Sequence, residues 1–130
     1  MSRLSPAAII LGAALCFSAC ATGKVNIPPD LSPSVIIQQA QEAADRNRFN
    51  VALQYYQALL ERYPANIDLV CTAEYAIAFI HYKQKDYPLA REGLNSLLER
   101  YDFPGEEYLP PHFKVLAAKV LEQIDAKEKR

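Results

Sequence analysis

The fold of this chain is decided by residues 71–101, CTAEYAIAFIHYKQKDYPLAREGLNSLLERY. Before the polar KQKD turn, apolar and small residues recur at the spacing of one helical face. After the turn, Pro88 stands just inside a second helix, where its fixed φ is favourable and its missing N–H costs nothing. The stretch therefore predicts two helices joined by a short turn. The apolar stripe of the second helix comprises Leu89, Ala90, Leu94, Leu97, Leu98 and Tyr101.

Small and aromatic residues occupy particular places in this helix pair. Ala78 stands in the first helix, and Tyr87, Ala90 and Leu94 follow in the second. In this arrangement the stretch resembles a tetratricopeptide repeat, whose small residues let two helix backbones approach closely. The sequence departs from the family pattern at the large aromatic of the first helix, the turn glycine and the closing proline, which are here Glu74, Lys85 and Asp102.

A second copy of the pattern lies 38 residues upstream, with Ala52 in the place of Ala90 and Pro64 at the closing position. The four extra residues 67–70 are predicted to lengthen the first helix of the downstream copy. The resemblance implies an all-α fold of tetratricopeptide-like antiparallel helix hairpins. About two and a half repeats, or five helices, would form a short right-handed solenoid. The alternative is an unrelated pair of helix hairpins.

The predicted helical domain covers residues 35–126, with repeat 1 at about 35–64 and repeat 2 at about 67–101. Ser34 is the expected N-cap of the first helix. Asn47 is expected in a turn that requires left-handed backbone geometry. A last helix at about 111–126 would cap the stack, and residues 127–130 would form a polar tail. The apolar stripe of that helix is Phe113, Leu116, Ala117, Val120, Leu121 and Ile124.

Residues 1–19 have the pattern of an export signal. One positive charge near the start is followed by an apolar run over residues 7–17 and then by small residues. The apolar run is short for a permanent membrane-spanning helix, so a transmembrane anchor is the less favoured alternative.

The sequence Phe17-Ser18-Ala19-Cys20 resembles a lipobox, which implies cleavage just before Cys20 and modification of Cys20 with diacylglycerol. Phe17 departs from the leucine that this motif prefers. The alternative is ordinary signal cleavage after Ala21, because residues 19–21 also have the A-x-A form. Acylation accounts for Cys20, and Cys71 is expected to be a small, partly buried core residue.

Residues 20–34 are predicted to be the lipidated cysteine and a flexible tether. Three prolines, a glycine and several small polar residues exclude a helix there. The alternative is a segment that wraps back along the helices, with Val25, Ile27 and Leu31 as its apolar contacts.

The composition argues for recognition and against catalysis. The net charge is −1 with both signs interleaved, which gives no footprint for nucleic acid. The sequence contains no H-x-x-x-H or C-x-x-C pair, no phosphate-binding glycine loop and no nucleophile elbow. We therefore expect no enzyme activity, no metal and no cofactor.

The tetratricopeptide resemblance also implies a partner-binding groove, because the first helix of each repeat lines a concave face in that family. An aromatic centre with charges at its rim is typical of a binding surface. The alternative is that Tyr75 and Tyr82 only pack against neighbouring helices. The implied partner-binding residues are Gln41, Asp45, Tyr75, Phe79, Tyr82, Lys83 and Lys114.

The mature chain is similar to bacterial envelope lipoproteins with such repeats, of the BamD/ComL type or the CpoB type. A helix that ends in Tyr63-Pro64 and leads into a helix rich in small and aromatic residues carries this resemblance. It implies a scaffold or adaptor tethered through its N-terminal lipid and bound to another envelope protein or peptide, with outer-membrane protein assembly as one setting. The alternative is a soluble periplasmic peptide- or small-ligand-binding protein that serves a transporter. Ala21 replaces the aspartate that retains lipoproteins at the inner membrane in enteric bacteria, which favours the outer membrane facing the periplasm.

Overall fold

The computed structural model describes residues 23–130, and this part of the chain is all-helical without strands. The predicted all-α class is therefore confirmed. Two short 3-10 turns, Arg100–Asp102 and Glu106–Tyr108, connect the last two helices. The helices are α1 (Pro33–Asp45), α2 (Phe49–Arg62), α3 (Ile67–Lys83), α4 (Tyr87–Glu99) and α5 (Pro111–Glu128).

The third helix is central to the packing. α1 packs on α2, α2 on α3, α3 on α4, and α5 covers α4 and α3. Ala73 and Ile80 of α3 belong to a core shared with α1 and α2, whereas Cys71 and Ala78 belong to a core shared with α4 and α5. A helix buried on two sides must be apolar nearly all round, as the sequence of α3 is.

The α1–α2 and α3–α4 turns have the same backbone geometry. Asn47 has φ 57° and Lys85, 38 residues later, has φ 63°. In each turn the next amide donates to a carbonyl five residues earlier, Arg48 N to Ala43 O at 2.8 Å and Asp86 N to His81 O at 2.9 Å. The left-handed conformation predicted for Asn47 is confirmed. Lys85 adopts it at a cost of about 1–2 kcal/mol that glycine would avoid.

Small residues let α3 and α4 approach closely. A Cβ built on Gly93 would lie 3.0 Å from the Cβ of Ala78, which is closer than side chains normally come. Ala90 in α4 and its counterpart Ala52 in α2 are fully buried. The predicted role of these small residues in helix contact is confirmed.

Two predicted boundaries were wrong by about two residues. α1 begins at Pro33, and its N-cap is Ser32, whose hydroxyl accepts a hydrogen bond from Val35 N at 3.4 Å. Ser34 instead places its hydroxyl 3.0 Å from that of Ser32. α5 continues to Glu128, past the predicted end at residue 126. The predicted extension of α3 from Ile67 is confirmed, with Asn66 as its N-cap.

Residues 23–31, here called the strap, lie along α2. At the start of the strap, the side-chain amide of Gln54 donates to Gly23 O at 3.2 Å and accepts from Val25 N at 2.8 Å. The predicted flexible tether is therefore wrong for residues 23–31, which follow the wrapped alternative. Residues 1–22, with the predicted signal and Cys20, lie outside the described part of the chain.

The far end of the strap is held by one arginine. The guanidinium of Arg62 donates to Ile27 O and to Pro28 O, both at 2.8 Å. These carbonyls precede Pro28 and Pro29, which have no N–H and cannot join a helical ladder. The arginine therefore satisfies Ile27 O and gives Pro28 O a shorter bond than the 3.4 Å one that this carbonyl accepts from Leu31 N.

The last helix uses a narrower stripe than predicted. Phe113, Ala117, Val120 and Ile124 are buried, whereas Leu116 is 37% exposed. The expectation that Leu116 lies in the core was wrong, because α5 meets the bundle along the line of those four residues, with Leu121 half-buried at the edge of that line. Cys71 is fully buried in the same core, and burial raises the pKa of its thiol.

We expect Ile124→Ala to lower the free energy of unfolding by about 2–5 kcal/mol, because it leaves a cavity beneath the last helix. Leu116→Ala removes a similar side chain from the same helix, but its partial exposure should keep the loss to about 1 kcal/mol. Urea unfolding followed by circular dichroism compares the two variants. Equal losses would show that α5 is not held by the buried stripe.

Candidate functional site

An open cleft of about 250 Å³ lies between α1 and α3, with Tyr56 of α2 at its base. Residues four apart on a helix share a face, so Gln41 and Asp45 of α1 stand together opposite Tyr75, Phe79 and Lys83 of α3. The structure thus brings five of the seven sequence-predicted partner-binding residues to one place, the α1/α3 cleft. The other lining residues are Ala44, Thr72, Ala76 and Ile80.

One wall of the cleft belongs to a continuous row of aromatic rings. Tyr75 stacks on Phe79 with centroids 5.9 Å apart and an interplanar angle of 14°, and Phe79 stacks on Tyr82 at 5.7 Å. Tyr75 also meets Phe113 of α5 at 5.5 Å. Such pairs contribute about 0.5–1.5 kcal/mol beyond their buried area. The row is half-buried, so it supports the bundle and still offers ring surface to the cleft.

Charges of opposite sign stand at the rim. Asp45 and Lys83 are exposed, and neither forms an ion pair within residues 23–130. The Lys83 Nζ lies 5.5 Å from the centre of the Phe49 ring, which holds it over α2. The cleft can therefore offer an anion on one side and a cation on the other.

Tyr56 is the functional candidate that sequence reasoning missed. It is 4% exposed, and its hydroxyl makes no hydrogen bond in the part of the chain that the structure describes. Because no fully buried side-chain oxygen there lacks a partner, this hydroxyl is reachable from the cleft. Burial, and then the charge of Asp45, raise the pKa of Tyr56, so the hydroxyl stays protonated and can donate. One sequence signal could have identified this residue. In the repeat alignment Tyr56 occupies the position of Leu94, so a polar hydroxyl stands where the second helix pair has a fully apolar side chain.

Burial also raises the pKa of Tyr75, whose ring is covered by its two aromatic neighbours. Both cleft tyrosines are therefore neutral hydrogen-bonding groups at physiological pH. The cleft offers neutral donors, ring faces and two rim charges, which suits recognition of a mixed polar and apolar segment.

Two predicted residues lie outside the cleft. Tyr82 continues the aromatic row beside Tyr87, with centroids 6.1 Å apart, and the Lys127 Nζ lies 5.8 Å from its ring centre. Lys114 stands on α5, paired with Glu106 at 3.3 Å. The repeat alignment carried Lys114 to the groove, but α5 packs on α4 and α3 and does not border α1.

Residues 23–130 contain neither a candidate metal site nor a candidate membrane-spanning helix. No group of three His, Cys, Asp or Glu side chains in this range could hold a metal ion. None of its helices combines the length and the apolar character needed to cross a bilayer.

Comparison with known proteins gives one informative relative. A protein of Treponema pallidum (strain Nichols), described as an uncharacterized protein, is 32% identical over 114 residues. The match covers 86% of this chain and 46% of the relative, so the chain spans about half the length of that protein. No protein-family model matches the chain. No solved structure matches it.

Tyr75→Ala and Tyr82→Ala test whether the aromatic row stabilises the bundle both inside and outside the cleft. Tyr75 touches Phe79 and Phe113, so its removal should lower the free energy of unfolding by about 2 kcal/mol. Tyr82 also touches two rings, Phe79 and Tyr87, so its removal should lower the free energy of unfolding by a similar amount although this residue lies outside the cleft. A Tyr75→Ala variant as stable as the wild type would show that this ring serves the cleft alone.

Proposed function

We propose that this protein is a membrane-tethered protein–protein interaction module, a scaffold or adaptor of the bacterial cell envelope. Its helix pairs are proposed to be tetratricopeptide-like repeats in a short solenoid capped by α5. The matching turns at Asn47 and Lys85 support this assignment, as does the burial of Ala52 and Ala90 at equivalent positions. Lipidation at Cys20 would hold the module at the outer membrane, facing the periplasm.

The observation that carries the proposal is the α1/α3 cleft. It gathers half-buried rings, a buried tyrosine with a reachable hydroxyl and unpaired charges on one open surface. Tyrosine-rich, partly desolvated surfaces of this kind concentrate binding energy in protein interfaces. The proposed partner is a segment of another envelope protein, and the repeat style points to outer-membrane protein assembly as one setting.

A soluble carrier of a small ligand is the weaker alternative. Small-molecule sites are usually pockets of about 300–1,000 Å³ that bury most of the ligand surface. The α1/α3 cleft is smaller and open, which favours a docked polypeptide segment over an enclosed molecule.

The tether is tested by the intact mass of the protein purified from bacterial membranes. We expect a mass increase that corresponds to an acylated cysteine at the mature N-terminus, and we expect Cys20→Ser to abolish it. An unmodified chain that begins after residue 21 would instead make the protein a free secreted one and would raise the carrier alternative.

The cleft is tested by site-specific crosslinking in cells. A photoreactive amino acid at Gln41, an exposed position of the cleft, should crosslink to an envelope protein, and Asp45→Arg should reduce the yield by blocking the rim. The same photoreactive residue at Lys119, exposed on α5, is the matched control. Equal crosslinking yields from positions 41 and 119 would contradict partner binding at this cleft. So would a yield from position 41 that is the same with and without Asp45→Arg.

A further inference from the structure

Basic side chains gather at the end of the domain that carries its two sharp turns. Gly23 at the start of the strap, Asn47 and Arg48 of the first turn, and Gln84 of the second border one shallow depression, so three separate segments meet there. The sequence places Lys24 beside Gly23, Arg46 and Arg48 around Asn47, and Lys83 and Lys85 around Gln84.

The last turn of α5 joins the same end. Arg91, in the second turn of α4, binds Asp125 at 2.8 Å and Glu128 at 2.6 Å. On the other side, the Lys127 Nζ lies over Tyr82, near the end of α3. These contacts carry Lys129 and Arg130 to the region of the two turns. We call this set of residues the basic end.

The positive charges at the basic end are largely uncompensated. The basic residues named there, apart from Arg91, are exposed and form no ion pair in the described chain. The neighbouring acidic residues are fewer. Asp125 and Glu128 are paired with Arg91, and Asp86 caps α4 through a hydrogen bond from Leu89 N at 3.3 Å. Asp45, Asp86 and Glu92 form no ion pair in the described chain, so three free carboxylates stand against eight exposed basic side chains.

The other end of the domain is acidic. Glu99 ends α4, Asp102 lies in the 3-10 turn that follows, and Glu106 and Glu107 precede α5. The cations Arg100 and Lys114 at this end are already paired, with Glu74 and Glu106. The 18 residues of α5 separate the two ends by about 27 Å. That distance exceeds the Debye length of about 8 Å at physiological salt, so each end presents its own field although the whole chain carries only −1.

We infer that the basic end docks on the anionic phospholipid surface of the membrane. The strap supplies the orientation, because the hydrogen bonds of Gln54 fix Gly23 at this end. Cys20 precedes Gly23 by three residues, which reach at most about 11 Å. This orientation rests on the proposed lipidation of Cys20. With the acyl group so close, the lipid and the basic end face the same surface, which favours a membrane over an acidic protein as the occupant.

Anchoring and docking then reinforce each other. Each lysine or arginine held at an anionic lipid surface strengthens binding about fivefold. The two acyl chains of a diacylglycerol on Cys20 would already give stable attachment, so the basic end would add orientation more than retention. Docking would fix the direction in which the domain stands on the membrane and hence the height of the α1/α3 cleft.

The test uses the predicted mature chain, residues 20–130 with Cys20→Ser, produced without the signal so that it carries neither an acyl group nor the apolar run. The chain is sedimented with vesicles of phosphatidylcholine containing phosphatidylglycerol, and with vesicles of phosphatidylcholine alone. We expect binding only to the anionic vesicles and its loss in high salt, because screening shortens the range of the field. Arg46→Gln combined with Lys85→Asn should weaken binding about twentyfold. Asparagine is chosen at position 85 because it tolerates the left-handed backbone.

The matched control is Lys114→Gln combined with Lys119→Gln, which removes the same charge from exposed positions outside the basic end. We expect this pair to bind anionic vesicles nearly as well as its parent. If both double variants weaken vesicle binding equally, the binding depends only on the net charge of the chain and the inference is overturned. Equal affinity for both vesicle types, or no vesicle binding at all, would also overturn it, and the second result would leave an acidic protein as the occupant. The lipid tether and the docking of the basic end can be told apart. If Cys20 proves unacylated while the chain still binds anionic vesicles, the proposed tether is wrong and the proposed membrane contact of the basic end is supported.

Discussion

The burial of α3 between two helix layers is the constraint on which the rest of this structure depends. One side of α3 packs through Ala73 and Ile80 into the core with α1 and α2, and another packs through Cys71 and Ala78 into the core with α4 and α5. Only small or apolar residues fit such a position, and the contact of Ala78 with Gly93 shows how little room is left. The bulky aromatic side chains of α3 are thereby confined to its one uncovered edge. The aromatic wall of the cleft follows from this arrangement.

The strap connects the fold to the proposed place of the protein in the cell. The prolines of the strap have no N–H to donate, and Arg62 and Gln54 of α2 provide donors that hold its carbonyls. The chain therefore enters the domain at a fixed point, beside the turns at Asn47 and Lys85. A membrane tether that enters there would orient the domain as well as retain it, which a loose linker would not do.

The sequence predictions were confirmed where they concerned local backbone geometry, and they were wrong where they concerned which helices lie beside α5. The turn at Asn47 and the early start of α3 depend on nearby backbone hydrogen bonds, and both were predicted. Leu116 and Lys114 were assigned by their position in a helical pattern, but the edge of a buried stripe depends on which helices lie alongside. Tyr56 was missed because a sequence does not show whether a cleft opens above a residue.

The sequence by itself determined the helices, the sharp turns and the small residues that let the helices touch, because periodicity, caps and steric size act within a few residues. It also brought five cleft residues onto matching helical faces through the repeat resemblance. Only the tertiary structure decided that the strap folds back on α2, that Tyr56 opens into the cleft and that scattered lysines and arginines gather at one end. Each of these features joins residues that are far apart in the chain. The packing of α5 and of the strap determines where those residues meet, and no local sequence pattern encodes that packing.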